Sequence, residues 1–222
     1  IVLCVPSSAG CLLLSDLRES GQIIVDFSGA SKRAGIGIYG LLDRNDQPWS
    51  VQDKNEHVFG SPGCIASAVL RSLDDSGLRS HLAGDLQITA CGGKSYVHTS
   101  STAGTLQAGN RTITHPHVAE IEQALADQSV SVTHFSTVIS SEVAHGLLVT
   151  VSGQLQPKTS LEAGGDDQVC VDSVLGTEKI SYRYDTHELN GLIYFTLQAA
   201  IDNIEFVTSN ATRLLLYIQT LY

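Results

Sequence analysis

The chain has 222 residues, of which 42% are hydrophobic and 16% are charged, so it is neither disordered nor too short for a substantial core. Its formal charge of −10 at pH 7 argues against nucleic acid and anionic membranes as partners. No apolar run is long enough to span a bilayer and no signal peptide is present, so we expect no membrane association. The five scattered cysteines lack a CxxC pair, which favours a reducing compartment and a cytoplasmic location.

The first 28 residues have the pattern of a βαβ unit from a parallel sheet. Two continuous apolar segments, residues 1–5 and 23–27, flank a helical segment at residues 7–20, which Gly21 terminates. A buried strand at residue 1 without a polar lead-in predicts that part of this domain lies upstream. Residues 29–60 are rich in Gly, Asp, Asn and Pro, and this composition predicts mostly connections.

A helix is predicted to begin at Cys64. Apolar residues at helical spacing follow the thiol, namely Ile65, Ala68, Val69 and Leu73. A thiol in the first turn lies near unpaired backbone N–H groups and the positive end of the helix dipole, and both favour the thiolate. Two interpretations remain, a reactive cysteine or a small residue that fills the core.

The rest of the chain alternates less regularly between strands and helices. After a strand at residues 86–90 comes a long Gly-, Ser- and Thr-rich loop at residues 92–114, and loops of this length are usually functional. The remaining predicted elements are a helix at 117–127, strands at 130–138, 147–151, 180–184 and 192–201, and an amphipathic helix at 209–222. This order predicts an α/β region that leads into an α+β region.

His115 and His117 open the helix that follows the long loop. The dipole at a helix N-terminus favours neutral imidazole, which can accept a proton from a thiol near pH 7. The pair therefore allows three interpretations: a catalytic partner for Cys64, a metal site, or solvent-facing residues without a role. A metal site needs further ligands, and we expect none, because no recognisable spacing is offered by the other candidates, His98, His134 and Cys91.

Six motifs, in order along nearly the whole chain, resemble those of N-acetyl-γ-glutamyl-phosphate reductase, in the wider family that includes aspartate-semialdehyde dehydrogenase. Residues 61–68 resemble the family's "NPGCYATA", which carries the nucleophilic cysteine, and residues 115–123 resemble "HRHTPEIEQ", which carries the catalytic histidine. The other four motifs lie at residues 24–28, 38–41, 146–150 and 200–203.

The resemblance implies an α/β fold in which a partial Rossmann-type parallel sheet, its N-terminal part missing, precedes an α+β catalytic and dimerisation domain with a mixed sheet. It implies three regions. Residues 1–60 form a partial dinucleotide-binding domain, residues 61–203 the catalytic domain, and residues 204–222 a helix that packs back on the first domain. It also implies a homo-oligomer.

The implied reaction is the NADPH-dependent reduction of an acyl phosphate, N-acetyl-γ-glutamyl phosphate of arginine biosynthesis, to its semialdehyde. Cys64 attacks the acyl phosphate, phosphate leaves, and a thioester forms. Hydride from NADPH then reduces the thioester, with His115 or His117 as the acid and base. NADP is the implied cofactor, and the acyl phosphate and phosphate are the implied small-molecule partners.

The same resemblance assigns the remaining site residues. Those implied to contact the cofactor are Ser7, Ser8, Ser28, Gly63 and Asn203. Glu120 could bind substrate, although acidic residues near a helix start are also favoured by the dipole alone. His145 takes the place of the family's anion-contacting arginine.

Two other functions remain open. The resemblance is incomplete: that arginine, another in the loop matched by residues 99–104, and two glycines in the segment matched by residues 204–211 are lost. These losses and the acidic surface favour a catalytically impaired scaffold or regulatory subunit. A related dehydrogenase acting on aspartyl phosphate or a carrier-linked acyl phosphate is the second alternative.

Overall fold

The computed structural model of the chain describes residues 1–43, 47–50, 56–94, 115–128, 130–140, 144–157 and 161–221. Most of the long loop predicted at residues 92–114, including the segment 99–104, lies outside these residues.

The N-terminal half of the fold is a five-stranded sheet in the order β1-β2-β5-β3-β4. The pairs β1–β2, β2–β5 and β5–β3 are parallel, whereas β4 is antiparallel to β3. The elements are β1 (Val2–Leu3), α1 (Ser7–Glu19), β2 (Ile24–Asp26), α2 (Ala30–Ala34), β3 (Ile38–Leu42), β4 (Pro48–Ser50) and β5 (Val58–Gly60). The predicted βαβ unit is confirmed.

The prediction of mostly connections at residues 29–60 is wrong, because α2 and the strands β3, β4 and β5 all lie there. These strands are only three to five residues long, and every residue of β3 and β5 is buried. Short strands that are buried throughout have no alternation of polar and apolar residues, so the Gly and Pro residues around them dominate the pattern.

The second half is a six-stranded mixed sheet in the order β7-β6-β8-β11-β10-β9. Among the strands in the described residues of this half, β6 and β7 pair in parallel and the other neighbours are antiparallel. The elements are α3 (Cys64–Asp75), β6 (Leu82–Gly92), α4 (Pro116–Ala124), β7 (Val132–Ile139), β8 (Leu147–Leu155), β9 (Gly164–Gly165), β10 (Ile180–Leu189) and β11 (Leu192–Ile201). Helix α3 packs against this sheet, and its apolar residues form the main core with the strands.

The last helix, α5 (Asn203–Thr220), begins earlier than the predicted start at residue 209. Asp202 causes the earlier start, because its carboxylate accepts hydrogen bonds from the N–H groups of Ile204 at 2.9 Å and Glu205 at 3.2 Å. Leu214 and Ile218 of α5 pack against residues of the first sheet. The division of the chain into domains at residues 60 and 203 stays a prediction.

No helix within the described ranges is long and apolar enough to cross a membrane.

Candidate active site

Cys64 is the first residue of α3, directly after the N-cap residue Gly63. The prediction of a buried helix is confirmed, since Ile65, Ala68 and Val69 are completely buried. The thiol itself is half-buried, and it lies where the free N–H groups of the first turn are concentrated. A substrate carbonyl oxygen beside Cys64 would face these donors.

His117, the second residue of α4, is the base nearest to Cys64. Its imidazole is close enough to the Cys64 side chain for the thiol to contribute to its pKa, and its Nδ1 atom lies 2.9 Å from Oε1 of Glu120. Pro116 fixes the first position of the helix, where a missing N–H is tolerated, and so determines where His117 stands. Residues 64, 117 and 120 therefore form one chain of contacts from thiol to carboxylate.

Glu120 is fully buried and has three polar partners. Its Oε2 accepts the N–H of Gly63 at 2.8 Å, and its Oε1 contacts His117 and, at 3.2 Å, Nζ of Lys32. Burial raises the pKa of this carboxyl, but the charges of His117 and Lys32 and its hydrogen bonds outweigh burial and lower the pKa to about 2. In the structure Glu120 is an ionised group that holds His117, and the substrate contact predicted for Glu120 from the sequence stays a prediction.

The pKa of His117 is raised to about 9. Burial lowers it, but the negative charge of Glu120 and the hydrogen bonds to Cys64 and Glu120 have the larger combined effect. The expectation of a neutral His117 from the helix dipole is therefore wrong, because a buried carboxylate at 2.9 Å acts more strongly than the partial charge of a helix end.

His115 has a different environment from His117. It is the N-cap of α4, where its Nδ1 accepts the N–H of His117 at 3.3 Å, and its ring stacks on Phe135 with a centroid distance of 4.6 Å. Burial and the neighbouring His117 lower its pKa to about 4, so the expectation of a neutral imidazole is confirmed here. The structure thus brings His117 to Cys64 and gives His115 a capping and packing role.

Gly63 is required by the closeness of the two helix ends. A Cβ atom at this position would lie 2.0 Å from Cε1 of His117 and 2.9 Å from Oε1 of Glu120. In the structure Gly63 lies against these two residues, whereas the sequence resemblance places it beside the cofactor. That cofactor contact stays a prediction.

Lys32 and Tyr39 complete the cluster, and neither is singled out by its sequence pattern. The hydroxyl of the fully buried Tyr39 has no hydrogen-bond partner among the described residues. Burial, followed by the charges of Glu120 and Cys64, raises the pKa of Tyr39 well above its usual value, so the phenol is neutral. The only signal for Tyr39 is its place in the motif at residues 38–41, and Lys32 has none.

A second cluster joins the start of α5 to the segment before β8. Oδ1 of Asn203 accepts the N–H of Gly146 at 2.6 Å, and Nε2 of His145 lies 3.5 Å from Oδ2 of Asp202. Burial raises the pKa of Asp202, but hydrogen bonds from backbone N–H groups, of which that of Gly176 is the strongest, and the charge of His145 lower it overall. His145 and Asn203 are thus brought together, in a group distinct from the Cys64 cluster.

Among the residues that the structure describes, no group of three or more His, Cys, Asp or Glu side chains is arranged to hold a metal ion.

No family model matches the chain, and no curated protein is similar to it in sequence. Solved structures are similar to it. Aspartate semialdehyde dehydrogenase II from Vibrio cholerae matches 100% of the chain with 79% of its own length, 12% identity and a TM-score of 0.71. The same enzyme complexed with ASA matches 100% of the chain with 78% of its own length, at 13% identity and a TM-score of 0.68. A probable aspartate-semialdehyde dehydrogenase from Pseudomonas aeruginosa matches 96% of the chain with 77% of its own length, at 15% identity and a TM-score of 0.66.

The chain has the aspartate-semialdehyde dehydrogenase fold. The predicted fold class is confirmed, and so, at the level of fold, is the resemblance found in the six motifs. At 12–15% identity this similarity concerns architecture alone, so the roles of individual residues depend on the geometry described above.

The start of α1 offers hydrogen-bond donors that could hold a ligand carrying a phosphate group. Ligands of open α/β sheets bind at the carboxyl ends of parallel strands, where α1 begins after β1. The first turn of α1 has no side-chain cap, the hydroxyl of Ser7 is buried without a partner among the described residues, and Ser8 is exposed. Free N–H groups and an unused hydroxyl suit a phosphate. Asn203 keeps its amide nitrogen as a donor.

Ser28 fits less well as a cofactor contact. Its N–H and hydroxyl donate to Oδ1 of Asp26 at 2.8 and 2.5 Å, and its hydroxyl oxygen lies 3.2 Å from the N–H of Ala30. Burial raises the pKa of Asp26, but these bonds and those from Ser31 lower it overall. The ionised Asp26 therefore anchors the turn into α2, and Ser28 is part of that anchor.

Proposed function

We propose that the protein reduces an acyl phosphate to a semialdehyde with NADPH, through a thioester on Cys64. The observation that supports this function best is the chain of contacts from Cys64 through His117 to the ionised Glu120. A thiol, a base and a group that orients the base are the arrangement that nucleophilic catalysis requires.

His117 activates the thiol in this proposal. With its pKa raised to about 9, His117 carries the proton of the pair at neutral pH, and this imidazolium, stabilised by Glu120 on one side, holds Cys64 as a thiolate on the other. The thiolate attacks the acyl carbon, and the bond to phosphate breaks with its electron pair leaving on the phosphate. The free N–H groups at the start of α3 stabilise the negative charge that develops on the carbonyl oxygen.

NADPH, when bound, supplies the hydride that converts the thioester to an aldehyde. The Cys64 sulfur leaves as a thiolate, and the imidazolium of His117 stabilises it. Ser7, Ser8 and Asn203 are the residues we propose to hold the cofactor. The half-buried position of Cys64 limits the access of water to the thioester.

The substrate is selected by residues near His145 in this proposal. Its side chain is 38% exposed, so it can be reached from solvent, and in its protonated form it offers one positive charge to an anion. Asp202 at 3.5 Å offsets that charge, which predicts weaker anion binding than an arginine would give. The motifs favour N-acetyl-γ-glutamyl phosphate, and the similar structures favour a comparison with aspartyl phosphate. The homo-oligomer and the cytoplasmic location stay predictions.

Phosphate-dependent reduction of NADP⁺ tests the function in the reverse direction. The purified protein is assayed with N-acetylglutamate semialdehyde and with aspartate semialdehyde. We expect turnover with one of them and its loss in Cys64→Ser, because serine is far less nucleophilic than a thiolate. Cys91→Ser is the matched control, since Cys91 is also half-buried, and it should retain activity.

Full activity in Cys64→Ser would refute the proposal. A folded wild-type protein that turns over neither semialdehyde would favour the alternative function of a scaffold or regulatory subunit.

A further inference from the structure

Lys32 enters the candidate site from helix α2, which lies between strands β2 and β3 of the first sheet in the chain, whereas Cys64 and His117 belong to α3 and α4. Its Nζ lies 3.2 Å from Oε1 of Glu120, and its side chain is mostly buried. The next residue on α2, Arg33, is exposed. One buried positive charge therefore reaches the cluster from α2.

The position of Lys32 is fixed by the residues around it. The N–H and hydroxyl of Ser31 donate to Oδ2 of the buried Asp26 at 2.8 and 2.6 Å. Gly60 leaves space for this serine, because a Cβ there would lie 2.8 Å from Oγ of Ser31, and Cγ of Lys32 is at contact distance, 3.5 Å, from the same point. The Lys32 side chain is therefore held in the packed interior, whereas a surface lysine would be free to move.

Lys32 and His117 share a single atom, Oε1 of Glu120. The other titratable groups of the cluster are Cys64 on α3, His115 on α4 and Tyr39 on β3. When the thiolate and imidazolium form, the negative charges of Cys64 and Glu120 are balanced by the positive charges of His117 and Lys32. Without Lys32 the cluster is net negative, which disfavours the thiolate.

We propose that Lys32 is a positioning residue that acts through Glu120 to set the pH range in which the Cys64–His117 pair is reactive. The inference rests on the proposed role of Cys64 as the nucleophile. The charge of Lys32 also contributes to the low pKa of Glu120.

The alkylation of Cys64 by iodoacetamide tests this role without substrate or cofactor. The rate is measured against pH by mass spectrometry of the peptide that contains Cys64. Lys32→Met should raise the midpoint of the acid limb by about one pH unit and slow alkylation about tenfold below that midpoint. Lys32→Arg keeps the charge and should keep the midpoint.

Arg33→Met is the matched control, because it removes a positive charge from the same helix at an exposed position. If Lys32→Met does not fold, Lys32→Gln gives the same readout, since glutamine can donate to Glu120 but carries no charge. In a Glu120→Gln background the effect of Lys32→Met should disappear, because the interaction passes through the carboxylate.

An unchanged midpoint in the uncharged variants, or an equal shift in Arg33→Met, would overturn the role of Lys32. The experiments distinguish a failure of the role proposed for Lys32 from a failure of the proposed function. The predicted shift in a protein that reduces no acyl phosphate would refute the function alone, and an active reductase with an unchanged midpoint would refute only the role of Lys32.

Discussion

Glu120 connects every charged group of the candidate site. Its carboxylate holds the backbone of Gly63, the ring of His117 and the ammonium group of Lys32. Because burial alone would raise its pKa, its ionised state depends on these partners. The protonation of His117 depends in turn on Glu120.

Replacing each histidine separately shows which one serves Cys64. His117→Asn should lower kcat/KM for the semialdehyde by roughly 10²–10⁴-fold, because the variant has no base beside the thiol. His115→Asn should retain most of the activity, since asparagine is also a good N-cap. A larger loss in His115→Asn than in His117→Asn would contradict the assignment.

Gly63→Ala should impair both stability and activity. The added methyl group would lie 2.0 Å from Cε1 of His117, so the ring must move away from the position in which it contacts Cys64. Thermal unfolding and steady-state kinetics measure the two effects. In a His117→Ala background the same substitution should cause a much smaller loss of stability, because the clashing ring is gone. An equal loss in both backgrounds would contradict the steric explanation.

At the scale of elements, α5 is the helix that ties the end of the chain to the first sheet. A Cβ on Gly40 of β3 would lie 2.5 Å from Cδ2 of Leu214, so the helix and the strand are in close contact. Phe206, one turn after the helix start, belongs instead to the main core around α3. One helix thus packs on both halves of the fold.

Leu214→Ala should destabilise the protein by about 2–5 kcal/mol, because it leaves a cavity in a fully packed interface. Leu216→Ala is the matched control on the same helix and should change the free energy of unfolding by less than about 0.5 kcal/mol. Leu214 is 0% exposed and Leu216 is 57% exposed. Urea unfolding measures the difference, and equal effects would contradict the packing of α5.

The sequence predicts elements best where the periodic pattern is long. Strand β11 coincides with its predicted range, and α3 begins at Cys64 as the apolar spacing indicates. The strands of residues 29–60 escape prediction because they are short and buried on both faces. The start of α5 escapes prediction because it depends on the single capping residue Asp202.

The candidate site is also predictable only where a local sequence motif marks it. The motifs indicate Cys64 and a histidine, but they do not choose between His115 and His117, which differ only in what they contact. Glu120 accepts an N–H that is 57 residues away along the chain. Lys32 reaches Glu120 from helix α2, far from α4 in the sequence. Such long-range contacts leave no periodic signal in a single sequence.

At the scale of the whole molecule, the three buried groups predict a maximum of stability near pH 6.5. The raised pKa of His117 gives stability that is present below pH 6.5 and is lost as the pH rises through about 9. The lowered pKa of His115 gives stability that is lost as the pH falls from 6.5 through about 4. The lowered pKa of Glu120 adds a loss from 4.5 through about 2.

Urea unfolding from about pH 2 to about pH 10 measures this profile. His117→Asn should remove most of the decrease above pH 6.5, because the folded-state proton on His117 produces that decrease. It should also make the acid side shallower, because His117 contributes to the lowered pKa values of His115 and Glu120. An alkaline decrease as steep as that of the wild type would contradict the raised pKa of His117.

The formation of an acyl-enzyme on Cys64 tests the account most directly. The protein is mixed with N-acetyl-γ-glutamyl phosphate or aspartyl phosphate without nucleotide, and its intact mass and peptides are measured by mass spectrometry. We predict a mass increase of one acyl group on the Cys64 peptide, released by hydroxylamine, absent in Cys64→Ser and strongly slowed in His117→Asn. No acylation with either substrate, or acylation on another cysteine, would contradict the central claim that Cys64 is the nucleophile.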